Sequence, residues 1–152
     1  DHIGGNEFIK TNYEVPLCIH KEDAPMLIEP QLNLSEHFEI QVISPPADIE
    51  FEGGDILKLG NKEIKIIHTP GHTQGGISIM ADNLLFCGDT LFAGGIGRTD
   101  LPGGDYNTLK KSIHEKLFIL PDETIVLPGH GPYTTIGKEK RNNPFVGLKA
   151  QY

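Results

Sequence analysis

Five side chains of metal-ligand type stand in four short polar signatures. Asp1-His2 opens the chain, His72 lies in T-P-G-H-T (69–73), Asp89 in C-G-D-T (87–90) and His130 in P-G-H-G (128–131). The last three signatures each follow an apolar run and present one such side chain. Imidazole nitrogen and carboxylate oxygen suit a divalent metal, with zinc as the first expectation and iron or manganese equally accepted by these donors. Such a set points to metal-centred hydrolysis. None of the signatures is a contiguous helical motif such as H-E-x-x-H, so the ligands have to converge from separate loops at strand ends. Taken singly, a glycine-flanked histidine at a strand end reads as well as a turn residue. It is the joint, ordered occurrence of the signatures that favours ligation.

The elements that must deliver these loops form an alternation of helix and strand. Residues 5–12 suit a short helix after a Gly-Gly turn, and 15–19 read as a strand leading to His20. A helix starts over 22–27, with Asp23 as N-cap two residues before Pro25. From 49 to 80 the pattern turns to β. Residues 55–59 fold through Gly60-Asn61 into 63–67, with apolar residues alternating on one face of each arm, and this hairpin delivers His72. A second pair, 77–80 and 84–87, delivers Asp89. Asp105 caps a helix whose Leu109, Ile113 and Leu117 keep one apolar face, and 124–127 is the strand that delivers His130. The Gly-rich residues 94–104 match neither G-x-G-x-x-G nor G-x-x-x-x-G-K-[ST], and they read as a long surface loop near the site. Within it Arg98 either pairs with Asp100 or contacts substrate. Tyr133 either lines the pocket or packs its ring with the hydroxyl at the surface.

Composition bounds the rest. With 152 residues, 38% of them apolar, the chain is expected to form one domain over 1–152 with a packed core. No stretch approaches the roughly 20 apolar residues of a membrane span, so no membrane partner is expected. A net charge of −8 argues against a nucleic-acid partner, which needs clustered Lys and Arg. Cys18 and Cys87 lie in apolar runs without a C-x-x-C and are expected to be buried free thiols, as in a reducing cytosol. His20, His37, His68 and His114 lack the signature contexts and read as structural or exposed.

Taken in order, D-H-x-G-G-N, T-P-G-H-T, F-C-G-D-T-L-F, G-R-T-D, P-G-H-G and a closing E-K-x-x-N-P-F, the sequence resembles the metallo-β-lactamase superfamily and, within it, the glyoxalase II-like branch. The resemblance covers nearly the whole chain. It implies an α/β fold, an αββα sandwich with a dinuclear metal site at one edge of its two sheets. The family's first motif is H-x-H-x-D-H, of which Asp1 and His2 match the last two residues, so the fold is expected to lack its N-terminal strands and to offer an open sheet edge for homo-oligomers. In the family one ion is held by the two upstream histidines and the residue matching His72. The second takes the residues matching Asp1, His2 and His130, and the carboxylate matching Asp89 bridges both. The resemblance thus implies Asp1, His2, His72, Asp89 and His130 as metal ligands, with Asp1 and Asp89 as catalytic residues. Arg98 and Tyr133 are the candidate substrate contacts.

Two cations of that kind acidify a shared water and polarise a scissile carbonyl. A thioester suits them, because a thiolate whose thiol has a pKa of about 8.5 leaves with little help from a general acid. Where this chain has Asp89, the zinc β-lactamases commonly use cysteine, which favours the thioesterase-like branch. The expected activity is metal-dependent hydrolysis of an acyl thioester, with S-lactoylglutathione as the small-molecule substrate that the resemblance implies, in the cytoplasm. Two alternatives stand beside it: a persulfide dioxygenase with one iron, which shares these motifs, and a non-catalytic fragment or binding domain.

Overall fold

The computed structural model describes residues 1–148 and 150, and the chain forms two units, Asp1–Glu52 and Gly53–Tyr152. In the first, helix α1 (Asn6–Tyr13) is left through Glu14 in the left-handed conformation. Strand β1 (Cys18–His20) runs parallel to β2 (Ile49–Phe51), with His20 opposite Phe51. It begins later than the apolar pattern predicts: Pro16 has no N–H to give a ladder, and the Leu17 amide donates to the Asp48 carboxylate at 2.8 Å instead. Between the two strands lies α2 (Ala24–Ile28), with Pro25 in its first turn. Asp23 is at its N-cap as expected, but makes no side-chain capping bond. His20 is a structural histidine: it is buried, its Nδ1 accepts from the Glu22 amide at 3.2 Å, and its Nε2 therefore donates to the Glu52 carbonyl at 3.2 Å.

Strand direction governs the second unit. Its sheet contains β3 (Ile56–Leu59), β4 (Lys62–His68), β5 (Ile77–Ala81), β6 (Leu84–Gly88), β9 (Ile125–Pro128) and β10 (Thr134–Thr135), in the order β10-β9-β6-β5-β4-β3. β4 and β6 are each antiparallel to β5, and β9 is parallel to β6, so β4, β6 and β9 all run the same way. Their C-terminal ends therefore lie at one edge of the sheet. His72, Asp89 and His130 follow those three ends, the place where α/β sheets gather ligands.

Period-2 patterning fixes the faces. Along β6, Leu85 and Cys87 are buried while Phe86 between them is 44% exposed. The core of this unit joins Leu85, Cys87 and Val126 of the sheet to Leu109, Ile113 and Leu117 of the following helix. That helix is α3 (Tyr106–Ser112), which runs into a π-helical turn, Ile113–Leu117, closed by the Phe118 amide on the Ile113 carbonyl at 2.8 Å. In an α-helix a four-residue step overshoots a full turn by about 40°. The wider π turn runs that drift back, which keeps three residues at spacing four on one face and all three fully buried. Asp105 caps α3 as expected, its carboxylate accepting from the Thr108 amide at 2.7 Å.

Two elements escape sequence patterning. At the start of residues 94–104, expected as plain loop, β8 (Gly95–Ile96) pairs back on β7 (Leu91–Phe92) in a short hairpin. After β10, helix α4 (Ile136–Asn142) is capped by Thr135, whose hydroxyl accepts from the Lys138 amide at 3.3 Å. Strands of two residues and a helix of seven are too short to show a period. Among the described residues, no helix is long and apolar enough to cross a membrane.

Candidate metal centre

T-P-G-H-T begins where β4 ends. Thr69 is buried, its amide donating to Gly76 O at 2.7 Å and its hydroxyl lying 3.0 Å from that of Ser78 and 3.3 Å from that of Thr90. Because Thr90 closes C-G-D-T, this contact joins two signatures from the inside. The Pro70 carbonyl accepts from Ser112 Oγ on α3 at 2.8 Å. Gly71 lies directly on the same helix: its φ is +133°, and a Cβ there would stand 2.3 Å from the Leu109 backbone. Only glycine permits both the conformation and the approach. Helix and strand together thus place His72.

The ring of His72 is oriented by backbone. Its Nδ1 lies 2.7 Å from the carbonyl oxygen of Arg98, and a carbonyl only accepts, so Nδ1 carries the proton and Nε2 presents its lone pair. The residue before Arg98 is Gly97, packed so closely that a Cβ would sit 1.9 Å from Asp89 O and 3.2 Å from His72 Cβ. The 94–104 loop therefore braces the ligand loops rather than simply covering them.

Asp89 stands between the two imidazoles. Its Oδ2 is 3.8 Å from His72 Nε2 and 3.5 Å from His130 Nε2, and its side chain is only 15% exposed. Both spacings exceed the roughly 2.7–3.2 Å of an N–H···O bond. Donors at about 2.0–2.2 Å from a tetrahedral ion stand about 3.3–3.6 Å apart, so each imidazole pairs with the Asp89 carboxylate near the spacing an ion imposes, while the three donor atoms do not all lie within 4.8 Å of one another. His130 is held by the Gly129 amide, which donates to Gly88 O at 2.9 Å across the β6–β9 ends. The edge of Phe92 meets its ring at 6.4 Å between centroids and 69° between planes.

Asp1 and His2 belong to the first unit, where they are exposed neighbours with Asp1 Oδ2 3.9 Å from His2 Nε2. Arg98 is exposed, and its guanidinium grips Asp100 through two 2.9 Å bonds that hold the Asp100 carboxyl down at about 2. Of the two roles weighed for Arg98, pairing is the one seen. The part that its carbonyl plays toward His72 has no signature in the sequence, since any residue type supplies a carbonyl. Tyr133 is exposed. Cys87 is a buried free thiol pushed by desolvation from 9.0 up to about 11, whereas Cys18 is free but only half-buried, short of the burial expected of it. His114 is structural, with Nε2 2.8 Å from the Val146 carbonyl.

Co-directional strands followed by His72, Asp89 and His130 at one sheet edge make this an α/β protein whose candidate metal ligands gather where its strands end. The chain belongs to the metallo-β-lactamase superfamily, whose family profile matches residues 1–130. It is 42% identical over 154 residues to "Hydroxyacylglutathione hydrolase GloC" of Haemophilus influenzae, covering 99% of this chain and 73% of that protein. Among solved structures it is similar to the BLEG-1 B3 metallo-β-lactamase, with a TM-score of 0.92 and 40% identity over 96% of this chain and 72% of that one. The di-iron-bound form of TTHA1623 gives a TM-score of 0.81 at 35% identity, over 95% of this chain and 72% of that one. The expected fold is thereby established.

Proposed function

We propose that this chain is a glyoxalase II-like hydrolase of acyl thioesters, with a substrate of the S-lactoylglutathione type. The observation that carries the reading is the carboxylate of Asp89 set between His72 Nε2 and His130 Nε2 at 3.8 and 3.5 Å, a nitrogen–oxygen set with no thiolate. The similarity to GloC supports the substrate class. His72, Asp89 and His130 would hold metal, and the family resemblance adds Asp1 and His2. Zinc is our first assignment on donor type, and the di-iron form of TTHA1623 supports iron as the second. When bound, such an ion brings the pKa of a water toward about 7 and polarises a carbonyl.

The protein's own groups do the positioning. The Arg98 carbonyl holds the His72 ring by Nδ1–H, and the Phe92 edge restrains His130. In the overall reaction the C–S bond breaks, the oxygen of water enters the acyl group, and sulfur leaves as thiolate. The leaving group therefore needs no general acid. Arg98 and Tyr133 are assigned as substrate contacts within this proposal, and the two free thiols favour a reducing cytoplasm. A β-lactam is the second substrate reading, favoured by the TM-score of 0.92 to BLEG-1.

The test is turnover by protein reconstituted separately with zinc, iron(II) and manganese(II), on S-lactoylglutathione and on a chromogenic cephalosporin. Thioester hydrolysis at a kcat/KM at least a hundredfold above that on the lactam is the expected result. Lactam turnover without thioester turnover, with any of the three ions, would overturn the assignment.

A further inference from the structure

The closing E-K-x-x-N-P-F motif contains two of the most deeply buried polar groups of the second unit. Glu139 within α4 and Asn143 at its C-cap, one helical turn apart, are each 1% exposed. Glu139 accepts three hydrogen bonds: from the Thr134 hydroxyl at 2.6 Å, the Gly94 amide at 2.8 Å and Asn143 Nδ2 at 3.0 Å. Asn143 Nδ2 also donates to the Gly95 carbonyl at 3.0 Å. A buried carboxylate is kept only when its oxygens are satisfied, and here two of its three donors are Gly94 and the residue that clamps Gly95.

Gly94 lies in the Ala93–Gly94 turn of the β7–β8 hairpin, Gly95 opens β8, and the chain that leaves β8 is Gly97 and Arg98. From the clamp to the Arg98 carbonyl is only three residues, and Gly97 between them is wedged against Asp89 O and His72 Cβ. Of the residues from Gly94 to Gly97 only Ile96 has a side chain, which packs against the core. Ile96 and the Gly97 amide, which donates to Thr90 O at 3.4 Å, hold the middle of the segment, and the side-chain contacts at its Gly94–Gly95 end come from Glu139 and Asn143.

We propose that Glu139 and Asn143 are positioning residues that lock the His72 tautomer, and with it the affinity of the His72–Asp89–His130 centre for metal, through Gly94, Gly95 and the Arg98 carbonyl. This rests on the metal-centre reading above. It does not depend on which ester is hydrolysed.

Glu139→Gln preserves the clamp. The amide oxygen replaces Oε2 toward Gly94 and Asn143, and the NH2 faces Thr134, whose hydroxyl turns to accept. Glu139→Ala removes all three bonds. Two readouts separate positioning from mere stability: ¹⁵N chemical shifts of the His72 ring in metal-free protein, which report the tautomer, and zinc affinity by competition with a chromophoric chelator. Wild type and E139Q should show a protonated Nδ1 and equal affinity within about twofold. E139A should show mixed tautomers and about tenfold weaker zinc binding, the lower end of what distant support of a metal ligand costs.

If E139A does not fold, Glu139→Asp, which keeps the charge but draws it back by one methylene, is read by the same two measurements with the same expectation. A wild-type tautomer and wild-type affinity in the Ala variant, or in the Asp variant where that replaces it, would overturn the inference. So would equal losses in E139Q and E139A. Failure of wild type to bind zinc would instead strike the metal-centre reading, while the ring shifts would still judge the clamp.

Discussion

The closest backbone approach at the metal centre offers a sharp test, Gly97→Ala. The φ of Gly97 lies outside the left-handed region, so alanine brings no backbone penalty, and its effect is contact alone. The new Cβ would lie 1.9 Å from the Asp89 carbonyl oxygen, whereas real Cβ contacts essentially never fall below 3.0 Å, so the gap must open by about 1.1 Å. A shift of that size at the adjacent Arg98 would stretch the 2.7 Å bond to His72 Nδ1 to about 3.8 Å, beyond hydrogen-bond range. Overpacking of this kind costs about 1–3 kcal/mol, and the lost bond lies within that range. A loss of about 2 kcal/mol lowers Tm by about 4–8 °C in a chain of this length. Metal affinity should fall by about ten- to a hundredfold, because the ligand's orienting partner is gone. Differential scanning calorimetry and chelator competition read the two effects. Stability within about 0.5 kcal/mol of wild type would show that the loop yields freely. A destabilised protein with unchanged metal affinity would refute the coupling of Arg98 O to the centre.

Asp89→Ala should lower thioester turnover at least a hundredfold and cut bound metal in elemental analysis, whereas His37→Ala, on an exposed side chain, should change neither. Wild-type turnover in D89A would remove Asp89 from the mechanism. The Cys87 thiol should resist a disulfide reagent at pH 8 in folded protein while Cys18 reacts, and both should react after unfolding; rapid labelling of Cys87 in folded protein would contradict its burial. The raised thiol also sets a sign for alkaline stability. Below pH 9 the thiol is protonated in both states, and above it only the unfolded chain releases the proton, so about 2–3 kcal/mol is lost as pH rises from 9 through about 11. Cys87→Ala should flatten that fall in denaturant titrations, and an identical alkaline slope in the variant would count against it.

Much of this protein is legible before it folds. Each of His72, Asp89 and His130 follows an apolar segment of strand length, but 84–87 is apolar throughout, so that Leu85 and Cys87 face inward and Phe86 outward is seen only in the structure. Asp105 as a cap and Leu109, Ile113 and Leu117 as a buried face follow from local rules of hydrogen bonding and spacing, although the π turn that aligns those three comes from packing. Convergence is a different matter. That β4, β6 and β9 share a direction depends on an antiparallel neighbour and a parallel crossover, the latter pairing residues as far apart as Leu84 and Ile125, which no local period encodes. The supports of the site are less legible still. Arg98 acts through a carbonyl that every residue has, Gly97 through the absence of a side chain, and Glu139 through donors that only the folded chain brings within 3 Å. Side-chain chemistry is written residue by residue, whereas backbone contacts and close approaches are properties of the assembled chain, so the sequence names the candidate ligands and only the tertiary structure supplies what holds them.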